Sequence, residues 1–111
     1  DKAARKVRMQ SALLAASRVP LEVAKTGRRL LELCERAMVT APTATVSDIG
    51  VGALMAETAL SGAALNVMIN LASVTDAAPV KALSEDLDRA VDGAEAQRKR
   101  ITEFVESRIA R

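Results

Sequence analysis

The sequence predicts an all-α fold, an antiparallel bundle of about four helices with a buried central helix. Three observations carry the prediction. Half of the 111 residues are apolar but only one, Phe104, is aromatic, so the core is built from Ala, Leu, Val and Ile, which suits closely packed helices. Apolar residues recur at three- and four-residue spacing, and no stretch alternates as a half-buried strand does. Turn-forming residues gather in two places, around Pro42 and around Asp76.

The elements follow in order. A first helix is expected from Asp1 to about Ser17, with Val7, Leu13 and Leu14 as its apolar set. Val19-Pro20 interrupts it, because proline disfavours helix at the preceding residue and starts one well itself. A second helix from Pro20 carries Leu21, Ala24, Leu30, Leu31, Leu33 and Cys34 to about Val39. Thr40 to Val46 reads as a loop, since three threonines and a proline discourage helix. Ser47 is then the expected N-cap of a third helix ending near Leu71, with Asp48 well placed against the helix dipole. The last helix starts after Thr75-Asp76, near Pro79. Its stripe runs through Val80, Leu83, Leu87, Ala90, Ala94, Ile101, Phe104 and Val105, with Gly93 a weak point midway. Residues 1–111 form one domain.

Composition excludes several functions. Sixteen Lys and Arg against fourteen Asp and Glu leave a net charge of +2, too little for a strong steering field. The basic groups Lys2, Arg5, Lys6 and Arg8, and Arg98, Lys99 and Arg100, read as solvated helix faces. With one aromatic residue the chain has no stacking platform for single-stranded nucleic acid, so no nucleic-acid partner is expected. Cys34 is the sole cysteine and histidine is absent, which excludes an internal disulfide, a Cys-His nucleophile and a His-bearing metal site. Cys34 reads as a buried structural thiol, and a cytoplasmic, metal-free protein is expected. No signal-peptide pattern is present. The run Ile49–Ala72 is long enough to span a bilayer, but Glu57, Asn66 and Asn70 and its many Ala and Gly residues favour a helix buried on all sides in a soluble bundle. No membrane partner is expected.

The segment Ser47 to Leu71, SDIGVGALMAETALSGAALNVMINL, is the most distinctive. At about 100° per residue, Asp48, Gly52, Ala56, Ala59, Ala63, Asn66 and Asn70 fall within roughly 80° of one another. Two readings of this small, smooth face stay open. Gly and Ala allow close helix approach while the Asn side chains satisfy neighbouring backbone, or the stripe leaves room for a flat ligand that the Asn amides orient.

The arrangement AxxVPLEVA (Ala16 to Ala24), a loop, the Ser47–Leu71 segment and a charged terminal helix resembles the cyclodeaminase/cyclohydrolase family of one-carbon metabolism. The family includes the C-terminal domain of formiminotransferase-cyclodeaminase and stand-alone methenyltetrahydrofolate cyclohydrolases. The resemblance covers nearly the whole chain. Members carry a Gly-Asn pair in the loop before Ser-Asp, where this chain has Ala41-Pro42-Thr43-Ala44-Thr45. Members are also about twice as long, so the resemblance implies the C-terminal half of a larger helical domain. It further implies association, either as a homodimer or with the missing N-terminal half.

The activity implied is hydrolysis of methenyltetrahydrofolate to formyltetrahydrofolate, with the alternatives of formimidoyltetrahydrofolate cyclodeaminase or a non-catalytic helical association module. The folate derivative is the substrate, and no bound cofactor is implied. Both reactions need proton transfer, for which a carboxylate or a positioned water is the agent in a chain without histidine. On that resemblance Asp48 and Glu57 are the catalytic candidates, with Glu22 as another acid or base. Ser47, Asn66 and Asn70 are the substrate-binding candidates, and Lys25, Arg28 and Arg29 would hold a glutamate tail. Helix geometry limits this set. Asp48 and Glu57 lie roughly 180° apart around their helix, and Asp48 and Asn66 about 27 Å apart along it.

Overall fold

The computed structural model describes residues 1–110 as four helices. They are α1 (Lys2–Met38), α2 (Val46–Leu71), α3 (Ala77–Val91) and α4 (Ala94–Ile109). No strand occurs among the described residues. The helices lie side by side in a narrow bundle 68 Å long.

The expected break at Val19-Pro20 does not occur, and α1 runs through Pro20 as one helix of 37 residues. Proline lacks an N–H, so the carbonyl of Ala16 loses its partner within the helix. The side-chain amide of Asn70 donates to that carbonyl at 3.3 Å. A bond from α2 thus replaces the missing one, and α1 continues instead of ending.

Gly27 sets the contact between α1 and α2. A Cβ there would meet the Ala56 carbonyl oxygen and the Leu60 Cβ, both at 3.0 Å. The core spreads from this close approach. Leu21, Ala24 and Leu31 of α1 meet Ala53, Ala56, Leu60 and Val67 of α2, with Leu87, Ala90, Ala94, Ile101 and Val105 closing the side formed by α3 and α4.

α2 is central, but it is not buried on all sides as its composition predicts. Its core-facing side packs on the other three helices, while Val51, Leu54, Met55, Leu65, Met68 and Ile69 stay exposed on the opposite side. Three helices cover only one flank of a fourth. Val19, Val23, Leu30 and Leu33 of α1 are exposed as well, so an apolar two-helix surface is left open. By length and composition α2 could cross a membrane.

The caps differ in detail from expectation. α2 begins at Val46 with Thr45 as its N-cap residue, which makes no side-chain capping bond; Ser47 and Asp48 sit inside the first turn. The predicted single last helix is two, divided at Gly93, whose φ of 77° lies in the left-handed region that glycine alone adopts freely. The Arg28 guanidinium donates to the carbonyls of Ala90 and Asp92, satisfying backbone acceptors at the end of α3. Two more side chains hold the loops. Gln10 donates to the Ser73 carbonyl at 2.9 Å and accepts from the Thr75 amide at 2.8 Å, and Arg108 donates to the carbonyls of Met38 and Ala41 at 3.3 and 2.9 Å.

Candidate functional site

An open groove of about 660 Å³ lies between α1 and α2, on the N-terminal side of Gly27. One wall is Ala16, Val19, Pro20 and Val23 from α1; the other is Thr58, Ala59, Gly62, Ala63, Asn66, Ile69 and Asn70 from α2. Ala59 and Ala63 of the α2 stripe, with Gly62 beside it, make this possible. Ala63 packs in the core, whereas a Cβ on Gly62 would meet nothing within 4 Å, so the floor of the groove is low at that point. The groove continues along α1 past Arg18, Glu22, Thr26 and Leu30.

Polar groups inside are few. The Thr58 hydroxyl donates to the Leu54 carbonyl within its own helix at 2.9 Å. Asn70 donates to Ala16, which leaves its carbonyl oxygen as an acceptor. The Asn66 side chain forms no hydrogen bond within the chain among the described residues and is exposed in the groove. An apolar slot with one free amide and one half-committed amide suits a flat ligand with complementary donors and acceptors along an edge. No carboxylate lines this section; Glu22 stands in its continuation, 3.5 Å from the Lys25 ammonium.

The other candidates lie elsewhere. Asp48 is exposed in the first turn of α2, at the end of the helix remote from the groove, and Ser47 is exposed beside it. Glu57 faces α4, where it accepts from the Arg98 guanidinium, both side chains being about four-fifths buried (22% and 20% exposed). It therefore shares no cavity with Asp48 or Asn66. Lys25 points to α3 and pairs with Asp86 at 2.7 Å. That hydrogen bond raises the Lys25 pKa and lowers that of Asp86. Arg28 holds the end of α3, and Arg29 donates to Thr26. The structure thus brings Asn66 and Asn70 together and separates them from Asp48, Glu57, Lys25 and Arg28.

Sequence reasoning missed the α1 wall. Val19-Pro20 reads as a helix break from its chemistry. The usable signal was the pairing of a helix-interior proline with an asparagine able to serve its orphaned carbonyl. Cys34 is half-buried with its sulfur 3.6 Å from where a Gly52 Cβ would stand, and burial pushes its thiol pKa up. At least three metal-ligating side chains do not converge anywhere among the described residues.

Comparison with known proteins places this architecture. Residues 1–89 match the formiminotransferase-cyclodeaminase family. The chain belongs to that family. It is similar to a methenyltetrahydrofolate cyclohydrolase from Methylorubrum extorquens, 34% identical over 109 residues, covering 98% of this chain and 52% of the relative. It is also similar to the formimidoyltransferase-cyclodeaminase of Sus scrofa, 32% identical over 110 residues, covering 99% of this chain and 20% of that protein. The chain therefore spans about half the length of the first relative and a fifth of the second. The part matched by the formiminotransferase-cyclodeaminase family contains both walls of the groove, while α4 lies beyond it.

Proposed function

We propose that this chain supplies the pterin-binding groove of a folate one-carbon site and that the reaction is hydrolysis of methenyltetrahydrofolate to formyltetrahydrofolate. The observation that carries the reading is the α1/α2 groove, with Asn66 presenting an unengaged amide over an apolar floor. The flat, polar-edged pterin is the part of a folate that such a slot fits. The folate is substrate, and the reading calls for no bound cofactor or metal. A cytoplasmic setting is part of the same reading.

In this reaction water adds to the bridge carbon, and the resulting carbinolamine opens to the formyl product. The step needs a group that takes a proton from water and returns one to a ring nitrogen. The groove section lined by Asn66 holds no such group. Glu22 at its continuation is the nearest carboxylate on this chain's groove. The open apolar surface of α1 and α2 supports association, with the remaining catalytic groups brought by a second copy or by another segment of the complete protein. Asp48 and Glu57 stand outside this groove. Formimidoyltetrahydrofolate cyclodeamination is the second reading, supported by the similarity to the pig protein.

The test is the rate of loss of methenyltetrahydrofolate absorbance with this chain alone and with the complete protein. Acceleration by either supports the reading. No acceleration in either case removes it.

A further inference from the structure

Asn66 and Asn70 sit one turn apart in the same groove, but their amides are not equivalent. The Asn70 nitrogen is engaged with the Ala16 carbonyl, and Ala16 is four residues before Pro20, the one position whose missing N–H leaves that carbonyl without its helical partner. Ala16, Val19 and Pro20 together form the wall opposite Asn66. We propose that Asn70 is the positioning residue of the groove: its amide N–H stands in for the one Pro20 lacks and fixes the α1 wall, while Asn66 is the amide that contacts the ligand. The proposal deepens the folate reading and rests on it for the identity of the ligand.

The physics assigns Asn70 a role that grows when the groove fills. In the open groove, water can serve the Ala16 carbonyl if Asn70 is removed. A bound ligand expels that water, and the carbonyl is then a buried acceptor without a donor. Loss of Asn70 therefore weakens ligand binding more than it weakens the free protein. A backbone donor at position 20 cures the defect, because an alanine there returns an N–H to Ala16 within the helix.

The experiment is a double-mutant cycle on the complete protein, reading affinity for formyltetrahydrofolate by calorimetry and the Ala16 carbonyl chemical shift by NMR without ligand. Asn70→Ala is expected to weaken binding by about 5- to 100-fold and to move the Ala16 carbonyl resonance. Adding Pro20→Ala to that variant restores most of the affinity. Asn66→Ala also weakens binding, and Pro20→Ala does not rescue it. An unmoved Ala16 resonance in Asn70→Ala overturns the latch, and failure of Pro20→Ala to rescue Asn70→Ala overturns the positioning role. Absence of binding by the unaltered protein sinks the folate reading instead, and the carbonyl shift alone then judges the latch.

Discussion

Gly62→Ala separates the demands of folding from those of the groove, because the two respond with opposite sign. Gly62 lies inside α2, is exposed, and has open space where a Cβ would stand. Glycine in a helix interior is about 0.5–1 kcal/mol less favourable than alanine, and no neighbour resists the added methyl. The substitution should therefore stabilise the protein by about 0.8 kcal/mol, seen as a rise in melting temperature of about 3–6 °C for a domain of this size. The same methyl rises from the groove floor between Ala59 and Asn66. A ligand seated there meets a protrusion whose overpacking cost, about 1–3 kcal/mol, corresponds to about 5- to 150-fold weaker binding. The assays are a thermal melt followed by circular dichroism and a titration with formyltetrahydrofolate. A lowered melting temperature would refute the open-space argument, and unchanged or tighter binding would refute the placement of the ligand.

Two further predictions follow from the packing and the charges. Gly27→Ala should destabilise by about 1 kcal/mol, because overpacking against the Ala56 backbone and Leu60 Cβ outweighs the helix-propensity gain; a chemical melt with a higher midpoint than wild type would contradict this. The Glu35 carboxyl is held below its ordinary pKa of 4.5, chiefly by the hydrogen bond from Arg100 and further by that from Gln97. A depressed folded pKa gives stability that is present above the unfolded value and lost as pH falls through the folded one. Stability measured by urea melts should therefore fall less steeply below about pH 4.5 in Glu35→Gln than in wild type, and parallel acid limbs would exclude the pairing as a source of stability.

Much of the fold was legible because Ala- and Leu-rich periodicity, two turn clusters and Gly93 report local chemistry that tertiary contacts did not reverse. The misplaced break in α1 has a cause that lies outside the local sequence. Pro20 is a helix breaker in isolation, and the donor that neutralises it lies 50 residues away in Asn70, beyond any local pattern. The outward side of α2 was misread for a related reason: an apolar composition specifies that a face needs cover without specifying that this stretch of chain provides it. For the site, the Asn66 and Asn70 pair was visible as a feature of one helix. Lys25, Arg28 and Glu57 were attractive as charges and are engaged by Asp86, the end of α3 and Arg98 respectively, partners that only the packing of α3 and α4 reveals.

The most direct measurement is turnover of methenyltetrahydrofolate by the complete protein with and without Asn66→Leu, taken together with the two melting curves. Asn66 is exposed and makes no bond within the chain among the described residues, so stability should stay within about 0.5 kcal/mol of wild type while turnover is lost. Wild-type turnover in a normally folded Asn66→Leu protein would contradict the assignment of this groove as the folate site.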